Sequence, residues 1–396
     1  MRAYATIMVR AFYLSAVALL ASTASFARAE CDDLLNLSLP LSGDTTLELS
    51  SAAIDCTILA DNELEEFIVE GGTLTLTGPS TTKFTNLKFT VMDGAGLVFD
   101  FDTTEFGPNL GYEVEDDYGG FMVQVMSGGS VEFTGEMAAT GLENMRSVFW
   151  NDVGGRIEFA SDVVFNDCDS NVFRDNLGTL RFHGDVTFTD NRFLAISNDG
   201  GSVRIDGDAL FVTNGRSFEG HSGGAFSNTN GGTAIFRGFA TFSTNRCDES
   251  GGGVYNGAGS KMTFYKKAGF YDNRCLNGDG GGIDNYGGDL TFRGAVFATG
   301  NQAAETGGGV ATGNGGTTTF YGWTTIQSNT AATDGGGMSL YKLGQGDGGN
   351  VVTFRKSNTI RISDNNSNAG CNNIYVEESS EVVGYDTTSD ICDLAQ

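Results

Sequence analysis

Hydrophobic and polar residues alternate with a period of two over most of the chain, in short segments separated by glycine or small polar residues. In Leu180-Arg181-Phe182, for example, the two apolar residues share one face and the arginine takes the other. This period is typical of a half-buried β-strand and not of a helix. The pattern therefore predicts an all-β chain made of many short strands.

The short strands belong to a repeat, as GGTAIFRGFATFSTN (231–245) and GSKMTFYKKAGFYDN (259–273) show when aligned. One apolar residue, here called the anchor, ends the first strand of each copy. The anchors recur at intervals of about 23 to 34 residues, a spacing found in solenoid proteins. The anchors are Leu76, Phe99, Phe133, Phe159, Phe182, Ile205, Phe236, Phe264, Phe292, Phe320 and Phe354.

Each copy supplies three short strands and a polar corner. Most anchors are followed nine residues later by an asparagine, a place that Cys168 takes after Phe159. Stacked coils bury their inward residues together, and repeated amides can hydrogen-bond along the stack. We therefore predict a parallel β-helix of about 11 coils, capped at both ends. A β-sandwich or barrel is the alternative, which the recurrent register disfavours. The corner asparagines are Asn191, Asn214, Asn245, Asn273, Asn301 and Asn329, with Asn365 two positions later in its copy.

The pairing of Gly-Gly-[Ala/Val/Ile] with Phe-x-x-Asn resembles the repeats of chlamydial polymorphic outer membrane proteins. It is also similar to right-handed β-helix proteins of the pectin-lyase-like superfamily. The matching elements include Gly252-Gly253-Val254 and Phe270-Tyr271-Asp272-Asn273, and the resemblance covers about residues 70–370. Because these are architectural residues, the resemblance implies the fold and leaves the function open.

The N-terminal segment 1–29 has the features of a secretory signal peptide. Arg2 and Arg10 give it a positively charged start, which a short apolar run follows. Ala27-Arg28-Ala29 forms a small-x-small cleavage site. A membrane anchor is the alternative, but the run is shorter than the ~20 residues that span a bilayer. We expect a secreted, extracellular protein without a transmembrane span. Its expected parts are an N-terminal cap over 30–70, the β-helix over 71–370 and a C-terminal cap over 371–396.

Charge restricts the possible partners. The formal net charge is −27, from 23 Lys and Arg against 50 Asp and Glu, which disfavours nucleic acid as a partner. An acidic insertion at 100–118 contains Asp116 and Asp117, which are candidate calcium ligands. The alternative is a solvated acidic face that keeps the protein soluble. No other cofactor is expected, and the protein is expected to be a monomer.

One outward patch could carry catalysis. Arg181, His183, Arg204 and Asp206 fall on adjacent coils, where acids or bases could move protons and arginine could stabilise developing negative charge. The elements His183-Gly184 and Arg204-Ile205 are similar to those of polygalacturonase-like hydrolases, whose Asn-Thr-Asp and Asp-Asp elements are missing here. The alternative is a structural salt ladder, Glu158–Arg181 and Arg204–Asp206.

Outward aromatic and basic residues indicate a binding surface. Tyr265, Arg293 and Tyr321 share one register, with Arg237 nearby, and Tyr255 is assigned a second outward register together with Phe226. Exposed aromatic rings can stack on sugars. The sequence therefore favours an extracellular binding or adhesion module for glycans or a cell surface. The alternative is a polysaccharide-active enzyme, a lyase, hydrolase or epimerase, centred on His183.

The cysteines suggest disulfides, since an exported chain meets an oxidising compartment. Cys247 and Cys275 each follow a corner asparagine by two residues, so they should occupy one register in consecutive coils. Strands about 4.8 Å apart lie within the Cα separation that a disulfide accepts. By position we also pair Cys31 with Cys56 and Cys371 with Cys392, and we leave Cys168 as a free thiol. The alternative is that all seven cysteines are reduced.

Overall fold

The computed structural model of the protein describes residues 27–29, 45–49, 54–57, 65–78, 81–85, 87–107, 121–142, 147–215, 222–342, 349–355, 360–377, 380–385 and 391–393. Over these ranges the chain is a right-handed parallel β-helix, which confirms the predicted fold. All its strands pair in parallel, in sheets of 14, 13, 12 and 5 strands. Within the described ranges no helix is long and apolar enough to cross a membrane.

Each coil passes through sheets A, B and C in that order, and a short sheet D lies between B and C in five C-terminal coils. Sheet A consists of Ala27–Ala29, Thr45–Leu49, Thr73–Thr77, Gly96–Asp100, Ser130–Phe133, Arg156–Phe159, Thr179–Phe182, Ser202–Ile205, Thr233–Phe236, Lys261–Phe264, Asp289–Phe292, Thr317–Phe320, Val351–Phe354 and Glu381–Val383. Sheet B consists of Ile54–Thr57, Thr81–Thr85, Thr103–Phe106, Glu136–Thr140, Val163–Asn166, Val186–Thr189, Ala209–Val212, Ala240–Ser243, Ala268–Tyr271, Val296–Thr299, Thr324–Gln327 and Ile360–Ser363.

The other two sheets complete the coil. Sheet C consists of Glu65–Val69, Leu87–Val91, Phe121–Val125, Ser147–Asn151, Asn171–Asn176, Ile196–Asp199, Phe226–Thr229, Val254–Asn256, Ile283–Tyr286, Val310–Gly313, Met338–Tyr341, Ile374–Val376 and Ile391–Asp393. Sheet D consists of Arg246–Cys247, Arg274–Cys275, Gln302–Ala303, Thr330–Ala331 and Asn366–Ser367.

The anchors form one buried column along sheet A, as the repeat predicts. Phe236, Phe264 and Phe292 are register partners in successive strands, and the same register runs from Leu76 to Phe354. The rings of Phe236 and Phe264 stack with centroids 4.6 Å apart and planes 13° apart. Because equivalent side chains lie one strand spacing apart, stacking repeats from coil to coil and makes one continuous apolar core.

The corner asparagines form the predicted amide ladder. The Nδ2 of Asn245 donates to the Oδ1 of Asn273 at 3.0 Å and to the carbonyl of Phe211 at 3.0 Å. The same pattern runs from Asn191 to Asn365, and Asn191 to Asn329 are fully buried. The residue before each ladder position has a positive φ, for example Thr244 at 54°. The ladder thus satisfies buried backbone groups at a corner with an uncommon backbone conformation.

A second amide ladder, which we did not predict, follows the end of sheet C. It begins with the Nδ2 of Asn151 donating to the Oδ1 of Asn176 at 2.8 Å. It continues through Asn198, Asn228, Asn256 and Asn285 with distances of 2.7 to 2.8 Å. All its members are buried, so the coils that carry both ladders are fixed at two corners by side-chain amides.

Strands in the segments predicted to be caps extend the same sheets. Thr45–Leu49 pairs with Thr73–Thr77 in sheet A, and Ile391–Asp393 pairs with Ile374–Val376 in sheet C. Ala27–Ala29, at the end of the predicted signal peptide, pairs with Thr45–Leu49. The parallel coil therefore continues beyond 71–370 in both directions, while cleavage of the signal peptide stays a prediction.

The cysteines agree with the predicted register but not with every predicted bond. Cys371 and Cys392 form a disulfide with Cα atoms 5.8 Å apart. Cys247 and Cys275 are register partners in sheet D, yet both thiols are free, so the predicted bond between them is not formed. In-register parallel strands hold equivalent Cβ atoms about 4.8 Å apart, wider than the ~3.8 Å of a disulfide.

The remaining cysteines have separate outcomes. Cys168 is buried and free, and burial raises the pKa of its thiol to about 12. The proposed Cys31–Cys56 pair lies outside the described residues, because Cys31 is not among them.

Candidate functional site

The outward residue that directly follows each anchor forms a surface column on the C-terminal coils. Its position is fixed by backbone hydrogen bonds between coils. The backbone amide of Tyr265 donates to the carbonyl of Phe236 at 2.9 Å, and the backbone amide of Arg293 donates to the carbonyl of Phe264 at 2.8 Å. We call five successive members the Arg–Tyr column. They are Arg237, Tyr265, Arg293, Tyr321 and Arg355.

Guanidinium groups and phenol rings alternate along the Arg–Tyr column. The guanidinium carbon of Arg293 lies 5.1 Å from the ring centroid of Tyr265 and 6.0 Å from that of Tyr321. Arg237 and Arg355 cover the same two rings from the other sides, at 5.7 and 5.9 Å. Each such contact contributes about 0.5–1 kcal/mol at an exposed site. The contacts hold the long side chains of Arg293 and Arg355 in place without a carboxylate partner among the described residues.

This stacking changes the role expected for the tyrosines. Tyr265 and Tyr321 are 43% and 40% exposed, but both faces of each ring have guanidinium groups over them. Sugar stacking on these two rings is therefore disfavoured, and their hydroxyl groups are the parts suited to contact a ligand. Each hydroxyl can both donate and accept a hydrogen bond.

Two arginines of the column are suited to bind an anion. Among the described residues, neither Arg293 nor Arg355 forms an ion pair, whereas Arg237 approaches Asp206 at 3.6 Å. A guanidinium fork matches carboxylate, sulfate or phosphate groups and binds them in bidentate fashion. An exposed cation without an acidic partner is notable on a chain whose net charge is −27.

Aromatic side chains also line the corner between sheets A and B, beside the column. Trp323 is 65% exposed and Phe239 is 50% exposed. The amine of Lys266 lies 5.1 Å from the centroid of the Phe239 ring, and Lys267 covers Phe297 at 4.7 Å. No aromatic or cationic group of the described residues covers Trp323, so its ring can stack on a sugar.

The predicted catalytic patch is brought together around Asp206. Arg204 Nε lies 2.8 Å from Asp206 Oδ1, and Arg181 Nη2 lies 3.2 Å from Oδ2. His183 Nδ1 lies 3.8 Å from the same carboxylate. Partial burial opposes ionisation of Asp206, but the hydrogen bonds from Arg204 and Arg181 outweigh it and lower the pKa of the carboxyl.

This environment makes Asp206 an ionised acceptor and a poor proton donor at neutral pH. The predicted Arg204–Asp206 pair is confirmed. Glu158 pairs with Arg156 at 2.6 Å instead of the predicted Arg181, because Arg181 points to Asp206 on the next coil. Among the described residues His183 therefore faces one carboxylate that three guanidinium groups already surround. Asp206 and the arginines around it therefore form a cluster of ion pairs, and this favours a structural role over proton transfer between His183 and Asp206.

Tyr255 lies elsewhere, on the outer face of sheet C. Its register partners are Ser227 and Asp284, whereas Phe226 is fully buried in the main core. The shared outward register assigned to Phe226 and Tyr255 is therefore wrong by one residue. A slip of one residue exchanges the two faces of a strand.

Sheet D and its loops cover the outer face of sheet C and create a second buried compartment. The loop glycines Gly280 and Gly307 have φ near 65°, and a Cβ on them would touch Asp284 and Ala311. Asp284 has no exposed surface, and the hydroxyl of Tyr341 donates to both of its oxygens at 3.2 Å. Burial and the charge of Asp279 raise the pKa of Asp284 well above its usual range.

Sequence reasoning missed this compartment, because Asp284 stands at a position that the alternation of polar and apolar residues assigns to solvent.

No metal centre is found in the part of the chain that the structure describes. These residues contain no group of three or more His, Cys, Asp or Glu side chains placed to hold a metal ion. The calcium candidates Asp116 and Asp117 lie outside the described residues.

No protein-family model, curated protein or solved structure matches this chain. The β-helix implied by the resemblance to pectin-lyase-like proteins is present, but membership of that superfamily or of the chlamydial repeat group stays a prediction.

Proposed function

We propose that the protein is an extracellular binding or adhesion module that holds acidic polysaccharides through the Arg–Tyr column, on free glycans or on a cell surface. The observation that carries the proposal is the pair of exposed guanidinium groups, Arg293 and Arg355, which lack an ion pair among the described residues and are held by Tyr321 between them. Trp323, beside them, supplies a ring for an apolar sugar face.

The overall charge does not prevent this function. A polyanion is repelled by a net charge of −27 at long range, but charges further apart than about 8 Å are largely screened at physiological salt. Binding then depends on the local cations of the column. We expect retention to be strongest at moderate ionic strength and to weaken at high salt, where the guanidinium contacts are screened too.

The test is retention of the full chain on immobilised polygalacturonate, alginate, chondroitin sulfate and hyaluronan. The double variant Arg293→Ala/Arg355→Ala should lose at least tenfold in affinity for whichever polymer the wild type binds, since each lost charge-assisted hydrogen bond removes about 1.5–3 kcal/mol. The matched control is Arg156→Ala/Arg361→Ala, which removes the same charge at exposed positions outside the column. Absence of wild-type retention on every polymer, or equal loss in both double variants, would overturn the proposal.

The same samples test the alternative, a polysaccharide-active enzyme at His183. The observation in its favour is the contact of His183 with Asp206, one coil before Arg237. Release of short products by the wild type, abolished in His183→Ala with the fold intact, would establish turnover. If the protein only binds its ligand, Arg204→Ala should lower stability by about 1.5–3 kcal/mol, because it removes a hydrogen bond to the partly buried carboxylate of Asp206, and it should change no activity.

A further inference from the structure

The spacing of the Arg–Tyr column carries information about its ligand. Arg237, Arg293 and Arg355 follow anchors two coils apart, because Phe236, Phe292 and Phe354 are every second member of the anchor column. Backbone hydrogen bonds fix the coil spacing near 4.8 Å, so successive arginines recur about every 9.6 Å. Between them stand the phenol side chains of Tyr265 and Tyr321, which add no guanidinium group to the column.

We infer that the ligand is a polysaccharide in which acidic sugars alternate with uncharged ones, bound along the axis of the β-helix. This inference rests on the proposed function and specifies its substrate class. An extended sugar chain advances by about the spacing of one coil for each residue. Acidic sugars then meet Arg293 and Arg355 and, more weakly because its guanidinium group also approaches Asp206 at 3.6 Å, Arg237. The neutral sugars between them meet the hydroxyls of Tyr265 and Tyr321.

A polymer with a charge on every sugar fits this column less well. Its second and fourth carboxylates would lie over the tyrosines, where they lose hydration without gaining a cationic partner. An ionised group that is desolvated without compensation weakens binding. A neutral sugar at those places offers hydroxyl or amide groups, which match the phenol hydroxyl as both donor and acceptor.

The column also has a defined end. Beyond Arg237 the next position belongs to Asp206, a carboxylate that Arg204 and Arg181 keep ionised. A sixth sugar would meet this carboxylate in place of a phenol hydroxyl, and the alternation of arginine and tyrosine ends there. The site therefore accommodates five sugars, with acids at the first, third and fifth, and longer chains gain little from this column.

The experiment compares oligosaccharides of equal length by titration calorimetry with the full chain. Hyaluronan fragments, in which a uronic acid alternates with N-acetylglucosamine, should bind at least tenfold more tightly than fragments of polygalacturonate or polymannuronate. Their affinity should stop rising with length at about five or six sugars.

A variant pair sharpens the result. Tyr265→Arg/Tyr321→Arg places a cation on every coil of the column and should shift the preference toward the fully charged polymers. The matched control is Thr263→Arg/Thr319→Arg, which adds the same charges at the other outward position of the same strands. The control should leave the preference unchanged. The oligosaccharide comparison on the wild type does not depend on either variant folding.

The outcomes separate the two proposals. If both polymer classes bind equally and Arg293→Ala/Arg355→Ala weakens both, the alternation is wrong and the proposed function stands. If the threonine variants shift the preference as the tyrosine variants do, the column does not read spacing and this inference fails. If no polysaccharide binds, the proposed function itself fails.

Discussion

The N-terminal and C-terminal coils differ at the corner between sheets A and B, although their backbones are equivalent there. In the N-terminal coils the corner residues are Asp162, Asp185 and Asp208, and each carboxylate accepts the amide of the corner one coil on, at 2.7 to 2.8 Å. From Phe239 onward the corner carries apolar or basic residues, Trp323 among them. The corner backbone therefore forms without the aspartates, which leaves these positions free for other roles.

The core beneath the two halves is the same. Phe159 and Phe182 stack at 4.9 Å in the N-terminal coils, and Phe264 and Phe292 stack at 5.0 Å in the C-terminal ones. The halves thus share their inward residues and differ in their outward ones. Substitution of inward residues should then change stability, and substitution of outward residues should change ligand binding. Pairs of adjacent residues, one inward and one outward, can test this.

The largest expected effect comes from the core. Phe264→Ala should lower the free energy of unfolding by about 3–5 kcal/mol, because it leaves a cavity between two stacked rings. Tyr265→Ala, one residue later on the outer face, should cost about 1 kcal/mol. Urea unfolding of both variants measures the difference. Equal losses would show that inward and outward residues are not separable in the C-terminal half.

The amide ladder should come next. Asn273→Ala removes the partner of the Asn245 amide and of the Phe242 carbonyl, so we expect a loss of about 2–4 kcal/mol from buried groups left unsatisfied. The exposed Asn277→Ala is the control, with little change. A loss below 0.5 kcal/mol in Asn273→Ala, roughly the level of a surface substitution, would mean that the ladder does not stabilise the corner.

The buried compartment makes the C-terminal half sensitive to pH. The pKa of Asp284 is raised by burial and by Asp279, so its stabilising contribution is present below the unfolded pKa of about 3.9 and is lost as pH rises through the folded value. Asp284→Asn cannot ionise and should gain at least about 1 kcal/mol relative to the wild type as pH is raised from 4 to 8.

The exposed Asp289→Asn serves as the control for that titration and should run parallel to the wild type. Asp279, Tyr341 and Glu249 also face the compartment or act on its charges, so Asp279→Asn should weaken the pH dependence without abolishing it. Hydrogen exchange should locate the effect in sheets C and D. Loss of protection in the N-terminal coils instead would contradict the assignment.

The smallest effect should be a gain. Cys168 occupies the first ladder position, where its amide donates to Asn191 and its thiol lies 3.8 Å from the carbonyl of Ala139. Cys168→Asn can donate to that carbonyl and to Asn191, so it should extend the ladder and stabilise the protein by about 0.5–1.5 kcal/mol. Thermal unfolding compares it with Cys168→Ala, which offers no such bonds. Equal stability of the two variants would refute the extension.

Much of this architecture could be predicted from sequence, because the inward positions keep the same type of residue, at a recurring spacing, from coil to coil. The ladder residues from Asn191 to Asn329 each follow their anchor by nine residues, so insertions elsewhere do not hide them. The second ladder, from Asn151 to Asn285, was missed because loops of varying length place its members 16 to 23 residues after the preceding anchor.

The outer features were harder to predict. Alternation identifies the side of a strand but not what covers it, so Asp284 was indistinguishable from a solvated residue until sheet D was seen to enclose it. Likewise, the sequence placed Tyr265 and Arg293 in one register but could not show that the guanidinium group lies over the ring. Contacts between side chains on different coils depend on rotamers that no repeat encodes.

The constant interval between four of the anchors has a consequence for how such a chain can change over generations. Phe236, Phe264, Phe292 and Phe320 are each separated by 28 residues, and a ladder asparagine follows each of them by nine residues. An in-frame duplication of the anchor-to-anchor unit 264–291 would insert one whole coil that carries an asparagine for each amide ladder. A duplication of 56 residues would add one further arginine and one further tyrosine to the column, which under the proposed function lengthens the glycan that it holds by two sugars. Recombination alone could thus change ligand length without redesign of the core.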